Sequence, residues 1–536
     1  GVQTCALPIC LEIAMSTMHS DTAIYSLMAK EIITLENFPI FFYGQNYMGP
    51  LTSILIVINQ LVMNILGIVH IIPGFNSPYI ISPVAGVITT YQLLIAGGVL
   101  WSLAVKRIFN IQVGVLVFIS LIFGGEIFSS MAIQPNGVEI ALFMSGLLVW
   151  FYTKHENNFN NKSKLIYGLM LGIAWWMNQT VIFVIAPILL NELYKIQILK
   201  EARINFSFKK HNEKFKKTAI LSLFIFIVAM IFCTVGKYKA DYGLFRFKFN
   251  SGTKPLFLSL VIYFGTYLLD YIKKKEGFLI FSSKIMMKAR LIILGTFITY
   301  FPVMFGKAFG WYEKGYGVKF RILPFYEIPD YWSNLVWDYY PKVLGLLGVK
   351  LIFLCLILIL LYKFITTKLY RYLIIRPEVA TVKTVFLGIA LSNIIYVALS
   401  WRAMGEYALR YSLFLPMLCV VGLFISIRKY YLNYFLSAIL VGALFLANNE
   451  FRKKMVNLPK IEKTQITKLH ESQFRICYAN FWDAYKYEFL TDGNIGFIPY
   501  KSQDRTKKVS KQRRESKGEK CFFAAKSDTL SSFKDI

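Results

Sequence analysis

The segment ISPVAGVITTYQLLIAGGVLWSLAV, residues 81–105, has no charged side chain and is followed directly by Lys106 and Arg107. A helix of about 20 apolar residues is long enough to cross the hydrocarbon core of a bilayer. Further apolar runs lie at residues 50–68, 112–132, 139–153, 166–194, 217–236, 254–271, 289–306, 341–364, 380–400, 411–427 and 432–447. The pattern predicts an all-α polytopic membrane protein with about 12–13 transmembrane helices.

The composition agrees with this class. Of the 536 residues, 56% are hydrophobic and 16% are aromatic, and the mean hydropathy is +0.51. A soluble domain cannot bury that much apolar surface, because the buried fraction grows only slowly with chain length. The net charge of +29 comes from Lys and Arg in short blocks between apolar runs, as in cytoplasmic loops. No nucleic-acid-binding motif is visible, so we expect no nucleic-acid partner.

The two ends of the chain differ from its middle. Residues 1–9, GVQTCALPI, match one reading frame of a common sequencing-adapter oligonucleotide, so we interpret them as adapter-derived and non-native. We expect that the native start has been lost, together with a membrane helix. Residues 10–49 are then the first external loop, 50–447 the transmembrane helical domain, and 450–536 a polar, soluble domain.

The C-terminal segment predicts a small α/β domain. Its fragments RICYA (475–479) and IGFIPY (495–500) have the pattern of strands, and FWDAYKYEFL (481–490) between them has that of an amphipathic helix. The seven cysteines of the chain are scattered without CxxC spacing. They therefore predict neither a metal site nor an evident disulfide framework.

The basic residues predict the orientation of the chain. Nearly every basic loop falls on the cytoplasmic side under two conditions. Residues 50–68, which include Asn59, Gln60 and Asn64, must form a helix at the membrane surface, and residues 166–194 must form a hairpin that turns at WWMNQT. Residues 18–49, 134–138, 401–410 and 450–536 then lie outside, and residues 195–217 and 273–290 lie inside. This arrangement predicts a multi-pass protein of the cell (inner) membrane with an extracytoplasmic C-terminal domain.

Several segments carry a resemblance to a known family. In chain order they are SDTAIYSLMAKEI with FPIFFYGQNYMGPL, then PNGVEIALF, GIAWWMNQTVIFVIAPILL, ALRYSLFLPM and RICYANFWDAYKYEFL. The ordered set resembles the GT-C superfamily of membrane glycosyltransferases that use polyprenyl-phosphate sugars. Within it the chain is similar to protein mannosyltransferases and aminoarabinose transferases, the glycosyltransferase family 39 type. The resemblance implies a GT-C-like fold and an active site on the outer face of the membrane.

The resemblance also implies the reaction. A hexose or pentose would move from a polyprenyl-phosphate donor in the membrane lipid to a glycan, lipid or protein acceptor, by an inverting displacement with a carboxylate base. Such enzymes have an acidic residue in the first external loop, and Asp21 is the match. Many relatives have Asp-Glu where this chain has Asp21 and Thr22. One carboxylate therefore remains at this position, which does not support a two-acid mechanism there.

Asp21 and Glu139 are the candidate catalytic carboxylates. A positioned carboxylate can take the proton that the acceptor hydroxyl loses as it attacks the sugar. The alternative for Asp21 is helix capping, because SDTA is a good helix start with Ser20 or Asp21 as the N-cap. Glu139 opens an apolar helix on the predicted external side. It would assist the acceptor, coordinate a metal, or only complement the helix dipole. No cofactor is firmly expected, and a divalent metal stays open.

Basic residues are expected at the leaving phosphate, because the planar guanidinium group of Arg binds phosphate oxygens. The segment SWRAMGEYALRYSLFLP places Arg402 and Arg410 in one short external loop, and Lys30 is a third candidate for donor-phosphate binding. The alternatives for the two arginines are snorkelling to the membrane interface and an ion pair with Glu406.

Aromatic residues collect at membrane interfaces, and Tyr43, Gln45 and Tyr47 are the ones that we expect to contact substrate. The same hydropathy would also suit a polysaccharide-lipid transporter or flippase, or a non-enzymatic envelope assembly protein. Transporters usually carry intramembrane charges and inverted repeats. This chain has its distinctive polar residues in predicted external loops, which favours the enzyme.

Overall fold

The computed structural model describes part of the chain: residues 18, 20–43, 45, 48–67, 80–122, 135, 137–156, 159–195, 221, 224–225, 238–242, 245–249, 262, 278–308, 330, 333, 385, 388–389, 392, 474–492, 494–499 and 521–522. Arg402, Arg410 and Tyr47 lie outside these residues. So do the apolar runs 341–364, 411–427 and 432–447, and most of the runs 217–236, 254–271 and 380–400.

The described residues are mainly helical. The helices are α1 (Ser20–Ile33), α2 (Leu51–Ile65), α3 (Pro83–Ile108), α4 (Ile111–Ile122), α5 (Val138–His155), α6 (Asn161–Met177), α7 (Ile182–Lys195) and α8 (Phe278–Ala308). A short antiparallel pair, β1 (Tyr238–Tyr242) and β2 (Phe245–Phe249), precedes α8. The C-terminal unit contains β3 (Ile476–Ala479), α9 (Phe481–Leu490), β4 (Gly496–Pro499) and β5 (Cys521–Phe522).

Helix α3 forms from the uncharged segment at residues 81–105. Ser82 begins it, because its Oγ accepts a hydrogen bond from the N–H of Val84 at 3.1 Å, and Pro83 occupies the first turn. Lys106 and Arg107 lie in the last turn, where positive charge complements the helix dipole. Among the described helices, α3 is the one that is long and apolar enough to cross a membrane.

The predicted hairpin at 166–194 is present. Helix α6 ends at Met177, the following residue Asn178 has an extended backbone, and a 3-10 turn over Gln179–Val181 leads into α7. Tyr152, near the C-terminal end of α5, lies 6.2 Å (ring centroids) from Tyr167 in the first half of α6. Its hydroxyl group also bonds to Asn191 and Glu192 near the end of α7. Both open ends of the hairpin therefore lie beside the C-terminal end of α5.

Helices α6 and α8 pack at close range through small residues. A Cβ atom on Gly168 would collide with the backbone of Ile292, and one on Gly295 would collide with the backbone of α6. The hydroxyl of Thr296 donates to the carbonyl of Gly168 at 3.1 Å. Gly168 and Gly172 are four residues apart, the spacing that lets membrane helices approach closely. Helix α8 also begins at Phe278, so it includes much of the predicted basic loop 273–290.

The structure corrects the reason for placing residues 50–68 at the membrane surface. Asn59 and Gln60 are buried and do not face water. Asn59 exchanges two amide hydrogen bonds with Gln92 of α3, at 2.8 and 3.1 Å, and Gln60 accepts from the N–H of Ser82. Asn64 is exposed, together with the apolar residues Ile58, Leu61, Val62 and Ile65, of which Ile65 is 82% exposed. Polar residues of this helix therefore bind the neighbouring helix.

The C-terminal unit confirms the predicted strands and helix. Strands β3, β4 and β5 form a parallel sheet in the order β4-β3-β5, and α9 connects β3 to β4. The expected amphipathic character of α9 is wrong, because Lys486 and Glu488, which lie on different sides of the helix, are both buried. One reason is that α9 packs against β4 on one side and against α1 on another.

One cysteine of this unit forms a disulfide bond that the cysteine spacing did not indicate. Cys477 is disulfide-bonded and fully buried in β3. In the backbone register Cys477 pairs with position 521 of β5.

Candidate active site

Asp21 lies in the first turn of α1, directly after Ser20, the first residue of the helix. It is half-buried, and its Oδ1 atom is shielded from solvent. Because α1 begins at Ser20, Asp21 is inside the helix and not at the N-cap. Its alternative role is therefore that of a first-turn carboxylate that complements the helix dipole.

The Asp21 side of α1 is directed towards the start of α5. Tyr25 lies one turn after Asp21, so the two side chains share a face of the helix. Tyr25 is buried against Phe42, with the ring centroids 4.6 Å apart. A Cβ atom placed on Gly137, the N-cap of α5, would lie 3.1 Å from the Tyr25 hydroxyl oxygen. The helix that carries Asp21 therefore reaches the N-terminus of the helix that carries Glu139.

Glu139 is fully buried in the first turn of α5. Its Oε1 atom accepts hydrogen bonds from the backbone N–H of Gly137 at 3.1 Å and from the hydroxyl of Thr52 in α2 at 3.3 Å. A buried carboxylate needs such partners, because burial of an unpaired charge is costly. Glu139 thereby joins the start of α2 to the start of α5. This carboxylate contributes to the architecture of the junction.

The loop after α1 completes the junction. Met48 and Asn178 form a β-bridge, and the N–H of Gly49 donates to the carbonyl of Met177 at 3.0 Å. The side-chain amide of Asn178 donates to the carbonyl of Gly137 at 2.8 Å. Three parts of the chain thus meet: the opening segment, the start of α5 and the turn between α6 and α7. Gly137, from the predicted external segment 134–138, therefore lies beside the opening segment.

Gly137 is required at this position by its backbone. Its φ is +87°, in the left-handed region that favours glycine. A Cβ atom there would also collide with the Met48 side chain. Gly137 and Asn178 lie in the PNGVEIALF and WWMNQT segments, but the sequence alone indicates no role for them. Tyr25 and Thr52 carry no distinctive signal, because one tyrosine or threonine in an apolar helix is common.

The predicted substrate-binding residues have partners within the protein. The hydroxyl of Tyr43 bonds to Glu31 near the C-terminal end of α1, and Asn37 donates to both at 3.0 and 3.1 Å. Gln45 is mostly buried, and its backbone bonds to Phe42 in a turn. Sugar contacts by Tyr43 and Gln45 stay predictions.

Lys30 forms an ion pair with the C-terminal unit. Its Nζ lies 2.8 Å from Oδ1 of Asp492 and 2.7 Å from the Asp492 carbonyl oxygen. Its contact with a donor phosphate stays a prediction, as do those of Arg402 and Arg410. In the described part of the chain, no three side chains of His, Cys, Asp or Glu are grouped so that they could hold a metal ion.

Comparisons with known proteins give structural neighbours only. No protein-family model matches the chain, and no curated protein matches it. The structure is similar to the Archaeoglobus fulgidus oligosaccharyltransferase in its apo form, at 12% identity and a TM-score of 0.42, over 93% of this chain and 65% of that one. It is also similar to the archaeal oligosaccharyltransferase AglB of the same organism, in complex with an inhibitory peptide and a dolichol-phosphate. There the identity is 12% and the TM-score 0.39, over 92% and 64% of the two chains.

The chain therefore spans just under two thirds of the length of these two structures. With TM-scores below 0.5, this similarity carries no argument about the site.

Proposed function

We propose that the protein is a GT-C-type membrane glycosyltransferase. It would transfer a sugar from a polyprenyl-phosphate donor to a glycan, lipid or protein acceptor at the outer face of the membrane. The observation that carries the proposal is the junction itself, which gathers the Asp21 helix, the buried Glu139 and the turn at Asn178. These are parts of three of the segments on which the family resemblance rests.

A membrane location is supported by the surface of the described helices. Tyr91, Ile95, Val99 and Leu103 form a stripe at four-residue spacing on α3, and each is at least 39% exposed. Helix α8 exposes Phe297, Ile298 and Phe301 in the same way. Large contiguous apolar patches are rare on soluble proteins. Together with the small-residue packing of α6 on α8, these faces favour several helices in contact with lipid.

The disulfide at Cys477 supports an external position for the site. Disulfides persist in oxidising compartments and are rare in the cytosol. The C-terminal unit would therefore lie outside the cytoplasm. Helix α9 of this unit packs along α1, so Asp21 would lie on the same side. This agrees with the orientation that the basic loops predict.

In the proposed reaction Asp21 is the general base. The acceptor oxygen attacks the anomeric carbon, the bond from that carbon to the phosphate oxygen breaks, and polyprenyl phosphate leaves with the bonding electrons. The acceptor proton passes to the Asp21 carboxylate. Glu139 holds the starts of α2 and α5 together, and thereby keeps the wall of the site in place. Arg410 and Arg402 are the candidates for charge stabilisation at the leaving phosphate.

The test is a turnover assay with purified protein in lipid or detergent. Candidate polyprenyl-phosphate sugars are supplied with and without acceptors, and sugar release or transfer is followed. We expect release or transfer from at least one lipid-linked donor, and no robust transfer from a nucleotide sugar alone. Robust transfer from a nucleotide sugar in lipid-free detergent would refute the donor class. Movement of an intact lipid-linked sugar across vesicles without cleavage would instead indicate a flippase.

A further inference from the structure

The C-terminal unit is attached to α1 at two separate points. In the first half of α9, the backbone N–H of Tyr485 donates to Oγ of Ser20 at 3.3 Å. Beyond the end of α9, Asp492 forms the ion pair with Lys30. Ser20 begins α1 and Lys30 lies in its last turn. The two helices therefore run side by side in the same direction.

Apolar packing fills the space between these two points. Ala23 and Ile24 of α1 belong to the same buried cluster as Tyr485 and Phe489 of α9, and each is at most 1% exposed. This packing supplies most of the attachment, because burial of large apolar side chains outweighs a partly exposed ion pair. The polar contacts at the two ends define the register of α1 on α9.

The contact at Lys30 is built into the C-terminus of α9. Asp492 follows the helix with a φ of +52°, the left-handed conformation that commonly ends helices. Both its carboxylate and its carbonyl group accept from the Lys30 ammonium group. The partial negative charge of the helix C-terminus favours a cation at this place. Lys30 thus bridges the last turn of α1 and the end of α9.

We infer that α9 positions Asp21, with Ser20, Lys30 and Asp492 as positioning residues. The inference rests on the proposed function of Asp21 as a base. Ser20 is fully buried and is the direct neighbour of Asp21, so its bond to α9 holds the first turn of α1. Lys30 holds the far end of the same helix. The C-terminal unit is then a structural part of the site, and Lys30 acts within the protein and not on a substrate phosphate.

The test compares Asp492→Asn, Lys30→Met and the double variant in the full-length protein. Asn also adopts the left-handed conformation readily, so Asp492→Asn removes the charge with little backbone strain. Glu36→Gln is the control, since Glu36 is exposed beyond the end of α1. Hydrogen exchange of the α1 amides is measured together with kcat and with the KM for the lipid-linked donor.

We expect the α1 amides to exchange about two- to tenfold faster in either single variant. We also expect kcat to fall by a similar factor, with the donor KM unchanged. The double variant should match Lys30→Met, because Lys30→Met already removes both bonds to Asp492, whereas Asp492→Asn keeps the carbonyl acceptor. Ser20→Ala should give the same pattern, with faster exchange confined to the first turns of α1.

Two results would overturn the inference. A raised donor KM in Lys30→Met, with normal α1 exchange and no effect of Asp492→Asn, would assign Lys30 to the donor. Unchanged α1 exchange in both single variants, the double variant and Ser20→Ala would show that these polar contacts do not hold α1, so Ser20, Lys30 and Asp492 would not be positioning residues. The exchange measurement needs no substrate, so it separates a failure of this inference from a failure of the proposed reaction.

Discussion

Replacement of Asp21 by Asn distinguishes catalysis from structure at the centre of the site. The amide keeps the shape of the side chain but cannot accept the acceptor proton. Loss of a general base costs about 10²–10⁴ in rate, which corresponds to about 2.7–5.5 kcal/mol in activation free energy. We therefore expect Asp21→Asn to bind donor normally and to turn over at least about a hundredfold more slowly.

The structural cost of the same change is much smaller. Asp21 is half-buried in the first turn of α1, where a carboxylate stabilises a helix through its dipole by about 0.3–1 kcal/mol. For a chain larger than about 250 residues, this shifts the apparent Tm by less than about 4 °C. A catalytic role for Asp21 therefore predicts a rise of several kcal/mol in the activation free energy of turnover, whereas a structural role predicts only a small loss of stability.

The assay pairs turnover of a polyprenyl-phosphate sugar with thermal unfolding of the same preparation. Glu36→Gln is the matched control, because it makes the same chemical change at an exposed carboxylate of the same segment. Near-normal activity in Asp21→Asn would refute the base assignment and move the search to Glu139.

Three further predictions concern orientation, charge and backbone. Helix α5 has 18 residues and is about 27 Å long, so the exposed Lys162, beyond its far end, should lie across the membrane from the site. A Cys in place of Glu36 should react with an impermeant reagent in intact cells, and a Cys in place of Lys162 should react only after permeabilisation. The opposite labelling would show that the orientation in the membrane is the reverse of the proposed one. Burial lowers the pKa of Lys486 and raises that of Tyr487 to about 12. Between the lowered pKa of Lys486 and about pH 10, the unfolded chain binds more protons than the folded chain, so the free energy of unfolding should rise with pH. Above about pH 10, the folded chain keeps the Tyr487 proton that the unfolded chain loses, so the free energy of unfolding should fall again. Lys486→Met should abolish the rise in apparent Tm, and an unchanged pH profile would contradict this origin. Gly137→Ala should lower the apparent Tm more than Gly67→Ala does. Both glycines have a positive φ (+87° and +65°), but a Cβ atom meets other atoms only at Gly137. Equal decreases in Tm would mean that crowding at the junction is unimportant.

Local patterns in the sequence determined the class of most described elements. The uncharged run at 81–105 became the long apolar helix α3, and the WWMNQT segment became the turn of a helical hairpin. The RICYA, FWDAYKYEFL and IGFIPY segments became a strand, a helix and a strand. These features depend on neighbours a few residues apart, so periodicity, capping residues and turn residues are sufficient to predict them.

The partners of polar side chains were decided only by the tertiary structure. Asn59 and Gln60 indicated a water-facing surface, but they bind α3 and Ser82 and are buried. Lys30 was a predicted phosphate-binding residue, and in the structure it forms an ion pair with Asp492. A local pattern shows that a residue is polar, whereas its partner is chosen by packing of segments far apart in the chain.

The candidate site shows the same division. The sequence singled out Asp21 and Glu139 as acids in predicted external segments, and their chemistry follows from residue type. Only the fold brought Tyr25, Gly137 and Asn178 into one junction around them. The disulfide bond at Cys477 is likewise a feature that the spacing of the cysteines along the chain did not indicate.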